Sequence, residues 1–185
     1  KNYYFIIESI RDINLKEIKK SSRINIVYRS KNIENIEKLI KFRKSCQTKN
    51  IKFIISNNIK LMIMLKADGL YISANNKNLN TAKYKHSNYK IIGGAHNVKE
   101  INLKKKQGCT EIFFSRLFST KYQHKRSFLG VVKFNFLKNA RRESLIPLGG
   151  INLNNLNKLN MVKCNSIAIS SLVKDYQNEA IKRFY

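Results

Sequence analysis

A scattered set of residues has side chains suited to anionic oxygens, or lacks one where a backbone must come close. They are Arg29, Lys31, Asn57, Asn58, Asn76, Gly94, His96, Lys121, Gly149, Gly150, Ser170 and Ser171. Cations, amides, hydroxyls and glycines predominate in this set, and carboxylates are almost absent. The chemistry this favours is capture of phosphate oxygens rather than acid–base work by paired carboxylates. The Arg29 guanidinium can fork onto a phosphate, and Lys31 adds a compact charge. Two residues apart in an extended segment, they share a face. Gly149-Gly150 allows backbone N–H groups to approach a ligand closely. His96, which follows Gly-Gly-Ala, reads first as a turn or cap residue and only second as a catalyst. No Cys/His/Asp cluster has zinc spacing, no Ser-His-Asp set suggests itself, and neither a Walker A nor a GxGxxG motif occurs.

These residues share one property of position. Each follows a short β-branched run, at Tyr3–Ile7, Ile24–Tyr28, Phe53–Ser56, Gly69–Ile72, Lys90–Gly93, Glu111–Phe114, Leu145–Leu148 or Ser166–Ile169. Most runs are apolar on consecutive residues, as strands of a parallel sheet covered on both faces must be. Amphipathic stretches separate them. Helices are expected over Asp12–Lys20, Ile33–Thr48, Ile59–Leu65, Leu79–His86, Asn97–Gln107, Asn135–Arg142 and Asp175–Phe184, with Asn97 and Glu100 forming a capping box. The pattern predicts an α/β fold, a compact single-domain (β/α)8 TIM barrel over residues 1–185, whose chemistry lies at the C-terminal strand ends. An open doubly wound sheet is the alternative. The chain is short for a barrel, which typically needs about 250 residues, so the connections must be brief. In barrels the loops after strands seven and eight often form a phosphate site, here Gly149-Gly150 with Ser170-Ser171. The polar, basic stretch Lys121–Gly130 reads as a loop over the site.

The net charge of +26 raises a polyanion partner, RNA or DNA. A compositional explanation outweighs it. Lys, Asn and Ile, which are abundant, have A/T-rich codons; Gly, Pro and Trp, which are scarce, have G/C-rich ones. The lysines are also spread over all the helices. The charge still draws small phosphorylated substrates toward a site. No apolar run reaches the roughly 20 residues that span a bilayer, so no membrane partner is expected. The first residue is Lys1, and Tyr3–Ile7 is too short for the apolar region of a secretory signal. Cys46, Cys109 and Cys164, widely separated and without CxxC spacing, read as reduced, mostly buried thiols of a cytoplasmic protein.

In this order the segments resemble the thiamine-phosphate synthase family and its sister thiazole tautomerases, along nearly the whole chain. Tyr28-Arg29-Ser30-Lys31 is similar to the second-strand Gln-x-Arg-x-Lys, and Phe53–Asn58 to an apolar run into Asn-Asp. Leu65–Ile72 is similar to Ala-Asp-Gly-(Val/Ile)-His-(Leu/Ile)-Gly, and Gly93–Asn97 to Gly-x-Ser-x-His-(Asn/Thr). Gly108–Lys121 follows a segment ending Pro-Thr-x-Thr-Lys. Pro147–Ile151 and Ile167–Ser171 resemble the last two phosphate-binding strand ends. The resemblance implies an enzyme, a transferase that joins hydroxymethylpyrimidine diphosphate to thiazole phosphate and releases pyrophosphate. It implies that Arg29, Lys31 and Lys121 hold the pyrophosphate, with Lys121 the strongest catalytic candidate. Gly150, Ser170 and Ser171 would hold the thiazole phosphate. Asn57, Asn58, Gly94, Thr120 and Gly149 join the substrate-binding set, and a homo-oligomer is left open.

The departures bear on the metal. The family's two Mg2+-binding aspartates fall at Asn57 and Asn76, both amides, whereas Mg2+ usually takes one or two carboxylates plus phosphate oxygens. A protein-held Mg2+ is therefore in doubt, although the metal could arrive on the diphosphate. Val27 stands where the family has Gln, Tyr71 where it has His, and Gly94 where it has Ser. The Pro-Thr-x-Thr segment is shortened to Ser119-Thr120. Arg116 stands where the tautomerases place their working His, which argues against that activity. With Arg126, Arg116 is a candidate to replace the lost metal charge. Two other readings stay open: a non-catalytic relative binding a phosphorylated metabolite, and a nucleic-acid-binding module supported only by the charge.

Overall fold

A computed structural model describes residues 1–120, 127–141 and 143–184, with the side chains of 174–178 and 180 left aside. Eight parallel strands close on themselves: β1 (Asn2–Ile7), β2 (Ile24–Tyr28), β3 (Lys52–Ser56), β4 (Gly69–Ile72), β5 (Lys90–Ala95), β6 (Glu111–Ser115), β7 (Ser144–Leu148) and β8 (Ser166–Ile169). Closure comes from β1, which pairs with β2 through Tyr3↔Ile24 and with β8 through Tyr3↔Ile167. The (β/α)8 barrel expected from the continuous apolar runs is present. The reason is visible in each strand, whose alternate residues enter two separate cores. Tyr4, Ile6, Val27, Ile54, Tyr71, Ile92, Phe113, Ile146 and Ala168 fill the barrel. Phe5, Ile7, Ile26, Phe53, Ile55 and Leu70, among others, pack outward under the helices.

The barrel is plugged at the N-terminal ends of its strands. Lys90 opens β5 and Glu111 opens β6, and their side chains meet at 2.8 Å. Both also bond the Tyr4 hydroxyl, which donates to Glu111 Oε2 at 2.6 Å. Burial first, and the Glu111 carboxylate second, push the Tyr4 hydroxyl pKa upward, so it stays protonated. The opposite, C-terminal end is left to the loops.

Among the described residues four α-helices connect strands, α1 (Ile36–Thr48), α2 (Ile59–Met64), α3 (Val98–Lys106) and α4 (Gly130–Asn139), and α5 (Ser171–Lys182) follows β8. Elsewhere the expected helices are tighter. Asp12–Lys20 is replaced by 3-10 turns at Ile10–Asp12 and Leu15–Glu17 and Leu79–His86 by one at Leu79–Tyr84, and a further 3-10 stretch runs over Leu153–Met161 after Asn152. Each starts at a Ser or Asn whose side chain accepts a backbone N–H within the first turn. Such side chains compete with the regular helical bond pattern. Three of the connections are thereby shortened, which helps a 185-residue chain close an eight-stranded barrel. α4 begins earlier than expected, at Gly130, and turns Val132 and Phe136 to solvent while burying Phe134. Cys46 and Cys164 are buried and Cys109 partly so. Burial pushes the Cys46 and Cys109 thiols up to about 12, leaving them inert. Among the described residues no helix is long and apolar enough to cross a membrane.

Candidate active site

The open end of the barrel holds a cavity of about 840 Å3. Arg29 enters it from the end of β2, where its backbone N–H donates to Ile7. Its guanidinium is 3.7 Å from Glu8, and its charge acts on the Tyr71 hydroxyl. Burial pushes that hydroxyl up, and the neighbouring Arg29 charge opposes the shift. Tyr71 is stacked on Phe113 inside the barrel, with ring centroids 5.3 Å apart, so Arg29 rests on a rigid aromatic support. A Cβ at Gly94 would lie 2.4 Å from the Tyr71 hydroxyl oxygen. Tyr71 on β4 and Gly94 on β5 are thus coupled by packing.

Arg116 enters from the end of β6. It donates from Nη1 to Thr120 Oγ1 at 3.3 Å and from Nη2 to the Ser127 carbonyl at 2.7 Å. Its own carbonyl accepts from Leu129 N–H, so both ends of the residue are fixed. Its stem lies across Gly149, where a Cβ would come within 3.1 Å of Arg116 Cγ. Gly149 and Gly150 have φ of +94° and +71°, which favour glycine. A Cβ at Gly150 would strike the Phe118 and Ser119 carbonyls. The paired glycines therefore let the β7 end fit under the segment after β6. Ser170, at the start of α5, makes no side-chain cap bond to the helix and lines the cavity. Ser171 instead donates to the Ile151 carbonyl at 3.1 Å, tying α5 to the β7 loop.

His96 and Glu100 form the cavity's β5 wall. Glu100 Oε2 accepts the His96 N–H at 2.7 Å and lies 3.0 Å from Nδ1, while Oε1 accepts from Asn97 at 2.9 Å. Burial alone would raise the Glu100 carboxyl, but these bonds together hold it below the usual range. His96 is thus both a structural partner of the α3 cap and a cavity residue.

The β3 and β4 ends are different. Asn57, at a φ of +55°, accepts at Oδ1 from Ser73 N–H at 3.0 Å and from Asn76 Nδ2 at 3.1 Å, and donates to Ser73 Oγ at 2.9 Å. Asn58 caps α2 by accepting from Leu61 N–H at 2.9 Å. Beneath this loop the fully buried Lys104 donates to the Ser73 and Asn76 carbonyls, both at 2.7 Å, and to Gln107 Oε1 at 2.9 Å. Gln107 donates in turn to the Asn76 and Asn78 carbonyls. The Lys104 stem occupies the space that a Gly93 Cβ would need. Burial, the dominant influence, pulls the Lys104 pKa down. No carboxylate touches this loop in the bonds it makes, and both amides are engaged with one another. The donor set does not fit a protein-held Mg2+. Nor does any group of three His, Cys, Asp or Glu among the described residues.

Of the residues expected from sequence, Arg29, His96, Arg116, Thr120, Gly149 and Ser170 line the cavity together. Asn57 with Asn76 and Asn58 serve the neighbouring bracket, while Gly94, Gly150 and Ser171 act through packing and loop geometry. Lys31 is exposed and is not on the cavity wall. Lys121 and Arg126 lie outside the described residues. Sequence reasoning missed Lys133, Phe128 and Phe114 on the cavity wall, and the Lys104–Gln107 bracket. Lys104 shares the inward face of α3 with Ile101, three residues earlier, and that spacing is the signal that could have found it.

The thiamine monophosphate synthase family model matches residues 4–173. The thiamine-phosphate synthase of Pelagibacter ubique is 30% identical over 99% of this chain and 96% of its own length. That of Prochlorococcus marinus subsp. pastoris is 28% identical over 75% of this chain, but the match spans only 40% of the relative's length. Among solved structures, a thiamine phosphate pyrophosphorylase from Pyrococcus furiosus superposes with a TM-score of 0.73 at 15% identity, over 98% of this chain and 96% of the other. A 3-keto-L-gulonate-6-phosphate decarboxylase from Vibrio cholerae gives 0.62 at 13% identity, over 100% and 98%. At such identities these structures bear on the fold alone.

Proposed function

The chain belongs to the thiamine monophosphate synthase family, and we propose that it joins hydroxymethylpyrimidine diphosphate to thiazole phosphate, releasing pyrophosphate. The observation that supports this most is the convergence of Arg29 and Arg116 on one cavity with Gly149 and Ser170. The bond between the pyrimidine methylene and the diphosphate oxygen breaks first, and its electron pair leaves with pyrophosphate. The thiazole nitrogen then donates its lone pair to the methylene cation. The protein's task is to stabilise the charge that accumulates on the leaving oxygens and to keep water from the cation. Arg29, with Lys121, is assigned to the pyrophosphate, and Lys31, exposed off the cavity wall, is left out of that assignment. Gly150, Ser170 and Ser171 are assigned to the thiazole phosphate, next to the start of α5, where backbone N–H groups favour an anion. Phe114, Phe128 and Leu148 supply apolar wall for the pyrimidine. No step is assigned to a protein-held metal, because the Asn57–Asn76 pair offers no carboxylate. The setting we assign is the cytoplasm, in keeping with three free cysteines.

The test is formation of thiamine phosphate from the two purified substrates. Turnover that drops by about a hundredfold in Arg29→Ala and Lys121→Ala supports the assignment; product formed equally well by both variants would refute it. A second reading, a relative that binds phosphorylated metabolites without turnover, is favoured by the neutral Asn57–Asn76 pair. It predicts pyrophosphate binding with no product from the folded protein.

A further inference from the structure

We infer that Arg116 is a diphosphate-binding residue that, with Arg29, supplies in this chain the positive charge for which related sites rely on a divalent cation; the inference rests on the synthase reading for the identity of its ligand. Three independent features carry it. Arg116 is an immobilised cation: Thr120 and Ser127 hold two of its nitrogens, and Leu129 holds its backbone. A guanidinium fixed in this way loses little freedom when it accepts an oxyanion, and its flat fork matches the spacing of phosphate oxygens. The fold also makes room for it, since its stem occupies the place of a Gly149 side chain. Lastly, the β3–β4 side has become hostile to a metal. The Asn57 and Asn76 amides bond each other, and the buried Lys104 ammonium grips the Asn76 carbonyl from beneath. A divalent cation placed there would meet a fixed positive charge and no carboxylate.

The charge balance of the cavity agrees. Arg29, Arg116 and Lys133 line it; Glu8, off the wall, stands 3.7 Å from Arg29, and the sole carboxylate among its described wall residues, Glu100, is occupied by His96 and Asn97. Pyrophosphate entering this cavity meets cations already in place, with no need to carry its own.

The experiment is calorimetric titration of the whole protein with inorganic pyrophosphate, in EDTA and in excess Mg2+. The wild type is expected to bind in EDTA, with an affinity within about threefold of that in Mg2+. Arg116→Ala should weaken binding in EDTA by about tenfold or more, the usual loss for a charge-assisted hydrogen bond. Arg116→Lys, which keeps the charge but not the fork, should fall between, and it covers the case of an alanine variant that fails to fold. Wild-type binding that vanishes in EDTA would overturn the inference, as would undiminished binding by folded Arg116→Ala and Arg116→Lys. Metal-independent pyrophosphate binding without thiamine phosphate formation would leave the inference standing and remove the synthase reading instead.

Discussion

Around the barrel mouth, the ends of β2, β6, β7 and β8 present Arg29, Arg116, Gly149 and Ser170 to one cavity, whereas the ends of β3 and β4 close into a bracket of Asn57, Ser73, Asn76, Gln107 and Lys104. The first region turns its polar groups toward the cavity, with Arg29 beside Glu8 and Arg116 bonded to Thr120 and Ser127. The second turns almost all of its polar groups on each other. The Asn57 and Asn76 amides pair, and a buried ammonium secures their loop from beneath. On our proposal, cations on the opposite side carry the ligand's charge.

The largest effect should come from breaking the bracket. Lys104→Met keeps the stem that fills the space over Gly93 but leaves the Ser73 carbonyl and Gln107 Oε1 without the ammonium. A loss of about 2–4 kcal/mol in urea unfolding is expected; a loss below about 1 kcal/mol would mean that Lys104 is not what holds the loop. Next is the packing under Arg29. Gly94→Ala places a Cβ 2.4 Å from the Tyr71 hydroxyl oxygen and should cost about 1–3 kcal/mol. Tyr71→Phe removes that oxygen, so the double variant should cost less than the sum of the two changes. Strict additivity would show that the two positions are not coupled.

A smaller change would sharpen the contrast between the regions. Asn57→Asp with Asn76→Asp replaces a hydrogen bond of 3.1 Å by two carboxylates. Without divalent cations the double variant should lose about 1–2 kcal/mol to like-charge repulsion. Added Mg2+ should recover that loss by binding the folded form. If Mg2+ leaves its melting temperature unchanged and no stability is lost, the two positions do not govern metal binding.

The sequence was most legible where one physical cause acted alone. The strands were readable because both faces of each are buried, which leaves consecutive apolar residues such as Ile24–Tyr28 and Leu145–Leu148. The connections were harder, because Ser9, Asn14, Asn78 and Asn152 each draw the following backbone into a 3-10 turn that apolar periodicity does not register. Arg29, Thr120, Gly149 and Ser170 line the cavity at the mouth because strand ends fix their position. Lys104 was invisible as a site residue, since a lysine in Lys104-Lys105-Lys106 reads as solvated surface. Only the three-dimensional fold shows that Lys104 is buried while Lys105 reaches out to Glu143. Gly94 and Tyr71 looked like two separate departures from the family pattern, because the contact joining them crosses between strands.

The most direct test of the account is the rate of thiamine phosphate formation from hydroxymethylpyrimidine diphosphate and thiazole phosphate, measured in EDTA and again with Mg2+. Product formed in EDTA at a rate within about tenfold of that in Mg2+ is predicted, a difference of no more than about 1.4 kcal/mol in barrier. Turnover that requires Mg2+ absolutely would contradict the claim that fixed guanidinium groups have taken over the metal's charge.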